Sequence, residues 1–188
     1  MKLLPACCLL LFALPALAGP VGAPEPELRD RLMAAIKASD SFADKYEAQV
    51  WLLDMSSRLE RYQPQEAQRL EFLRLVHSEA KRAGLKPEWV LSVIHIESRF
   101  DRYAISYAGA LGYMQIMPFW LEELGEKGSN LFRTETNLRM GCTILRFYLD
   151  KERGNLVNAL ARYNGSYGRP EYPAKVLDVL RTRWAAFE

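Results

Sequence analysis

The sequence predicts an all-α protein. Apolar residues recur at three- and four-residue spacing through most of the chain, as one face of a helix requires. No segment shows the period-two alternation between turn pairs that marks strands. Helix punctuation falls between the periodic stretches, most clearly Gly84 as a stop followed by Lys86-Pro87 as a start.

The first 18 residues read as a secretory signal. Lys2 gives a positive start, Leu3 to Leu17 is almost wholly apolar, and Ala16-Leu17-Ala18 supplies a small-x-small cleavage pattern before Gly19. That run is short of the about 20 residues a membrane span needs, and Pro5 and Pro15 interrupt it; a retained anchor is the alternative. Cys7 precedes most of the run instead of ending it, so Cys7 and Cys8 read as apolar residues of a discarded segment. Residues 19–27, rich in proline and glycine, read as an extended leader. The remainder, 28–188, is expected to form one helical domain and to be monomeric.

Within it, Arg29 to Lys37, Tyr46 to Arg61 and Gln65 to Ala83 are periodic, the last with Leu70, Phe72, Leu73, Leu75 and Val76 toward a core. Pro87 to Phe100 is apolar on most sides, as befits a helix deep inside a domain. Arg102 to Gly112 loses periodicity and reads as a loop. Met114 to Leu124, Thr134 to Asp150, Leu156 to Tyr163 and Tyr172 to Phe187 read as further helices.

Composition narrows the function. Removal of residues 1–18 leaves 24 basic against 23 acidic residues, a balance that argues against nucleic acid as partner. Cys142 alone survives, in an apolar stretch, so stability comes from packing and not from an internal disulfide. His77 and His95 stand apart, and no His/Cys cluster has metal-ligand spacing, so neither metal nor cofactor is expected.

Glu97 is the anomaly, the only carboxylate between Glu88 and Asp101. Burial there would raise its pKa, and an acid still protonated near neutrality can donate a proton to a leaving oxygen. The bland alternative is a surface glutamate paired with Arg99 or Arg102. Asp101, four residues on, could be a second carboxylate, or could close the helix end by bonding backbone. His95, Ser98 and Asp101 include triad residue types, but all lie in one stretch with no nucleophile elbow. Ser98 reads as support for Glu97 or for nearby backbone.

The text around Glu97 is more specific. Glu97-Ser98-Arg99-Phe100-Asp101 is followed by Ile105 through Pro118 (ISYAGALGYMQIMP), then by Asn137-Leu138-Arg139-Met140-Gly141 and Ala161-Arg162-Tyr163-Asn164-Gly165. In this order and spacing the four motifs resemble the lytic transglycosylases, typified by the soluble lytic transglycosylases, over about Lys86 to Val179. The resemblance implies a lysozyme-like fold, related to goose-type lysozyme, with additional N-terminal helices and a catalytic core at about 86–180. It also implies a periplasmic enzyme acting on peptidoglycan glycan strands; it names no protein partner.

By position, Glu97 matches the family's catalytic acid/base. Ser106 matches a serine near the reacting sugar. Gly112, Tyr113, Met114, Gln115 and Met117 match the groove-lining motif, and Tyr163 and Asn164 match the Tyr-Asn pair whose hydroxyl lies near the glutamate. The implied reaction cleaves the β-1,4 bond between N-acetylmuramic acid and N-acetylglucosamine and leaves 1,6-anhydro ends. A goose-lysozyme-like hydrolase and a non-catalytic glycan-binding scaffold are the alternatives. Tyr113 stands where the family often has leucine, and Gly168 stands about where many relatives carry an acidic residue.

Overall fold

The computed structural model describes residues 45–123 and 128–185. The expected signal, leader and Arg29–Lys37 helix lie outside the described residues, as does Phe187. Among the described residues seven α-helices follow in order: α1 Lys45–Leu59, α2 Glu66–Arg82, α3 Pro87–Ser98, α4 Phe119–Glu123, α5 Thr134–Lys151, α6 Leu156–Tyr163 and α7 Glu171–Val179; a π-helical turn, Leu180–Trp184, completes them. Among the described residues the only β pairing is two isolated bridges, Ile105 with Leu111 and Leu111 with Ile116.

α3 is the central element. Val90, Leu91, Val93 and Ile94 are fully buried, and the helix touches α2, α7 and the π turn. Pro87 opens it, as expected where the first amide has no partner to lose. It ends two residues sooner than periodicity suggests. Arg99 and Phe100 both take positive φ, 52° and 66°, and Arg99 N–H closes back on His95 C=O at 3.2 Å. The reversal drives the Phe100 ring into the core beside Phe72 and Trp184. Two adjacent left-handed residues with side chains are costly, and the aromatic packing holds them.

α2 ends on Gly84 (φ +64), with Leu85 N–H reaching Ala80 C=O at 2.8 Å. That six-residue closure needs a left-handed residue, which glycine supplies without a Cβ penalty. α2 and α5 are joined by Glu79, 2% exposed, which holds Arg82 at 2.5 Å and Arg139 at 2.7 Å. α5 in turn packs on α6, whose first turn is capped by Asn155 accepting from Asn158 N–H at 3.1 Å.

The helix expected over Met114–Leu124 begins only at Phe119. Leu111 and Ile116 exchange both backbone hydrogen bonds, at 2.9 and 3.0 Å, so those groups are spent across a turn. Gln115 adopts φ 52°, outside the helical basin, and Pro118 has no amide to donate. The C-terminal helix starts at Glu171 and widens into the π turn after Val179.

Candidate active site

Glu97 lies in the last turn of α3, half-buried. Burial pushes its carboxyl from 4.5 up to about 7, against the opposing effect of one hydrogen bond, from the Tyr172 hydroxyl to Oε1 at 2.6 Å. Tyr172 is the second residue of α7, so the packing of α7 on α3 sets this contact.

Tyr163, at the end of α6, donates its hydroxyl to Met114 C=O at 2.7 Å. Both tyrosines have pKa values raised well above the ordinary range, first by burial and then by the Glu97 charge. Their hydroxyls therefore remain protonated donors beside the carboxyl. The resemblance places Tyr163 as the glutamate's neighbour, and it does feel the Glu97 charge; the direct bond comes from Tyr172. Tyr172 is the Glu97 contact that motif matching missed. Its one sequence signal was a polar-tipped aromatic opening the closing helix.

The remaining motif residues divide into two groups. Ser98, buried, directs its hydroxyl to Tyr113 C=O at 2.8 Å, with Ile94 C=O at 3.1 Å as the second acceptor. It thereby ties the end of α3 to the loop. Gly112, Tyr113 and Met114 are buried within the loop, and Tyr113 also lines a cavity with Phe72, Phe100 and Tyr103. The Tyr113 ring packs on Phe72 at 4.6 Å, and its hydroxyl accepts from Gln63 Nε2 at 3.2 Å. Met114 fills the space left by Gly141, where a Cβ would lie 2.3 Å from Sδ. A Cβ on Gly112 would lie 2.4 Å from Asn137 Nδ2. These residues shape the loop from below because the turn folds the Tyr113 and Met114 side chains inward and leaves no room for one at Gly112.

The second group stays accessible. Ser106 accepts from Ala110 N–H at 2.9 Å, which leaves its hydroxyl hydrogen available to a ligand. Gln115 anchors Nε2 on Ala104 and Gly112 carbonyls at 3.1 and 2.9 Å, leaving Oε1 as an acceptor. Met117 is half-buried and Asn164 exposed. Tyr107 and Tyr167 project into solvent, the latter under the Arg162 guanidinium at 3.9 Å.

Asn137, 1% exposed, is the loop's organiser. It accepts from Met114 N–H at 2.7 Å and donates to Leu111 C=O at 2.9 Å and Leu131 C=O at 3.0 Å. Asp101 turns back on Tyr103 N–H at 2.8 Å, so it closes the turn after α3. Among the described residues no three His, Cys, Asp or Glu side chains gather to hold a metal ion. Cys142 is fully buried and its thiol is pushed above the ordinary range.

A family model described as Transglycosylase SLT domain matches residues 74–173. The chain is 46% identical over 48 residues to membrane-bound lytic murein transglycosylase C of Actinobacillus pleuropneumoniae, covering 26% of this chain and 13% of that protein. It is 30% identical over 141 residues to membrane-bound lytic murein transglycosylase F of Desulfosudis oleivorans, covering 70% of this chain and 28% of the relative. Among solved structures, an inactive mutant of the lytic transglycosylase Slt from Pseudomonas aeruginosa matches with TM-score 0.46 and 26% identity, over 82% of this chain and 28% of that one. The chain thus spans less than a third of the length of these relatives. The matched span takes in Glu97, the Ser106–Met117 loop and both tyrosines, and the chain belongs to the transglycosylase SLT domain family.

Proposed function

We propose that this chain is a peptidoglycan lytic transglycosylase in which Glu97 serves as both acid and base. The observation that carries this is the Glu97 carboxyl itself: half-buried, held at Oε1 by Tyr172, and brought by burial to a pKa of about 7. A group poised there populates both protonation states near neutral pH, as one residue acting twice requires.

In the first step Oε2 carries the proton, because Oε1 is engaged, and delivers it to the oxygen between N-acetylmuramic acid and N-acetylglucosamine. The muramic 2-acetamido oxygen offsets the charge growing at the anomeric carbon, which removes the need for a second carboxylate. In the second step the carboxylate takes the proton of the muramic 6-hydroxyl, whose oxygen closes onto the anomeric carbon as a 1,6-anhydro bridge. Asp101 has no part in proton transfer. Ser106, Gln115, Met117, Tyr163 and Asn164 offer the donors, acceptors and apolar contact along the sugar path, on a scaffold set by Gly112, Tyr113, Met114 and Ser98.

The signal pattern at residues 1–18 supports export to the periplasm, and the relatives' names as membrane-bound murein transglycosylases support a cell-envelope location. The chain acts as a monomer in this reading.

Digestion of purified sacculi followed by mass analysis of the fragments tests the reaction. Anhydro-muramic ends are expected; reducing muramic ends alone would show hydrolysis instead. Glu97→Gln should lower turnover by at least about 100-fold, the usual contribution of a positioned general acid. Unchanged turnover, or none in the parent, refutes the assignment.

A further inference from the structure

His95 and Glu97 are two residues apart on α3 and so project from roughly opposite faces, about 200° around the helix. On the His95 side lies a recess of about 310 Å³, lined by Arg58, Arg61, Tyr62, Thr182, Arg183 and Trp184. It shares no residue with the candidate active site, and among the described residues no acidic side chain lines it.

The arginines differ in how their charge is met. Arg58 is held by both oxygens of Asp54, at 2.9 and 2.7 Å. Arg61 lies over the Tyr62 ring, 4.6 Å from its centroid, and bonds the Tyr62 hydroxyl. Among the described residues neither Arg61 nor Arg183 has a carboxylate partner; the nearby Asp178 is taken by Arg181 at 2.9 Å. Two unmatched guanidinium groups facing one recess repel each other, and an oxyanion between them would reverse the sign of that interaction. A carboxylate would match one of the two charges. A phosphate monoester, carrying about −1.5 to −2 near neutrality, matches both.

We propose that this recess binds a dianionic phosphate, free or as a terminal monoester on a larger molecule, with Arg61 and Arg183 as its ligands. The site connects to α3 through two hydrogen bonds. The Trp184 indole, which can only donate, gives its N–H to His95 Nδ1 at 3.1 Å, and the Tyr62 hydroxyl meets Nε2 at 3.0 Å. His95 is therefore the neutral tautomer with its hydrogen on Nε2. Burial, then Arg61, Arg99 and Arg183, hold its pKa below the ordinary value. A phosphate between Arg61 and Arg183 offsets two of those three charges, so His95 reports occupancy independently of any cleavage activity.

Nuclear magnetic resonance on the full chain at constant ionic strength tests this. Inorganic phosphate should move the Trp184 indole signal saturably, where chloride does not. It should also raise the His95 pKa. Arg61→Gln combined with Arg183→Gln should weaken the effect about tenfold or more, with circular dichroism confirming the fold. Arg183→Glu alone, on an exposed side chain, should abolish it. Vesicles containing phosphatidic acid, compared with phosphatidylcholine alone, separate the sources. A response to phosphatidic acid but not to inorganic phosphate, lost in the Arg183→Glu variant, supports the site with a lipid-borne monoester. No response to either probe, a response that chloride reproduces, or one that survives the substitutions overturns the proposal.

Discussion

The residue that concentrates the physics is Glu97, and the elevated pKa that the proposed chemistry needs works against stability. Its folded value of about 7 exceeds the ordinary 4.5. The folded state thus holds a proton that the unfolded chain has released between those values. Stability from this group is greatest below pH 4.5 and is lost as pH rises through 7. Glu97→Gln escapes that loss. Urea melts should show the variant more stable than the parent at pH 8, by on the order of 2 kcal/mol, with the gap closing toward pH 4.5. A constant difference across pH would contradict the assignment. Tyr172 opposes the rise, so Tyr172→Phe should push the Glu97 pKa higher and carry the alkaline limb of the rate profile with it. A limb that stays in place would mean the hydrogen bond is not tuning the acid. Glu97 stood out as one carboxylate in the apolar run from Val90 to Phe100, but only the ordered motifs around it pointed to an acid/base instead of a surface ion pair. Tyr172 was not legible in the sequence, because it lies 75 residues away and periodicity within a helix does not say which partner helix it meets.

At the scale of elements, the loop between α3 and α4 is held by a side chain and not by regular pairing. Asn137 bonds three backbone groups in two segments. Its replacement by alanine orphans Met114 N–H and Leu131 C=O, while Leu111 C=O keeps Ile116 N–H, and buried unpaired polar groups cost about 1–3 kcal/mol each. Asn137→Ala should therefore destabilise by roughly 3 kcal/mol in denaturant titration, allowing for water entering to satisfy some of them. Less than about 1 kcal/mol would show that the loop stands without it. Most helices could be read from spacing, as α6 shows: Leu156–Tyr163 is both expected and observed. The loop resisted that reading. The apolar residues Met114, Ile116 and Met117 mimic helical spacing, while the reason they do not form a helix, the paired backbones of Leu111 and Ile116, is a contact and not a composition. The buried role of Asn137 carried a faint signal, a polar amide on an otherwise apolar helix face.

For the molecule as a whole, the decisive feature is that α1 reaches the C-terminal turn. Arg58 donates to the carbonyls of Arg183 and Ala185 at 3.2 and 2.7 Å, and Tyr62, His95 and Trp184 continue the join beneath α3. Early and late segments thus brace the same central helix, and the described residues should unfold together. Arg58→Ala removes a partly exposed contribution of about 1 kcal/mol, and calorimetry should show a midpoint lower by about 3 °C in a single transition. Two separate transitions would mean that α1 is an independent appendage. This join rests on contacts across more than a hundred residues, so the sequence offered no pattern from which to read it.

That join also has a bearing on biosynthesis. The ribosome delivers Glu97 long before Tyr172 and Trp184, so a nascent chain carries its acid without the hydroxyl that steadies it or the indole that braces its helix. A prematurely terminated product would hold the whole Ser106–Met117 loop and still lack an ordered proton donor. If the proposed activity holds, catalysis at Glu97 would in this way wait until the polypeptide had been made almost to Trp184.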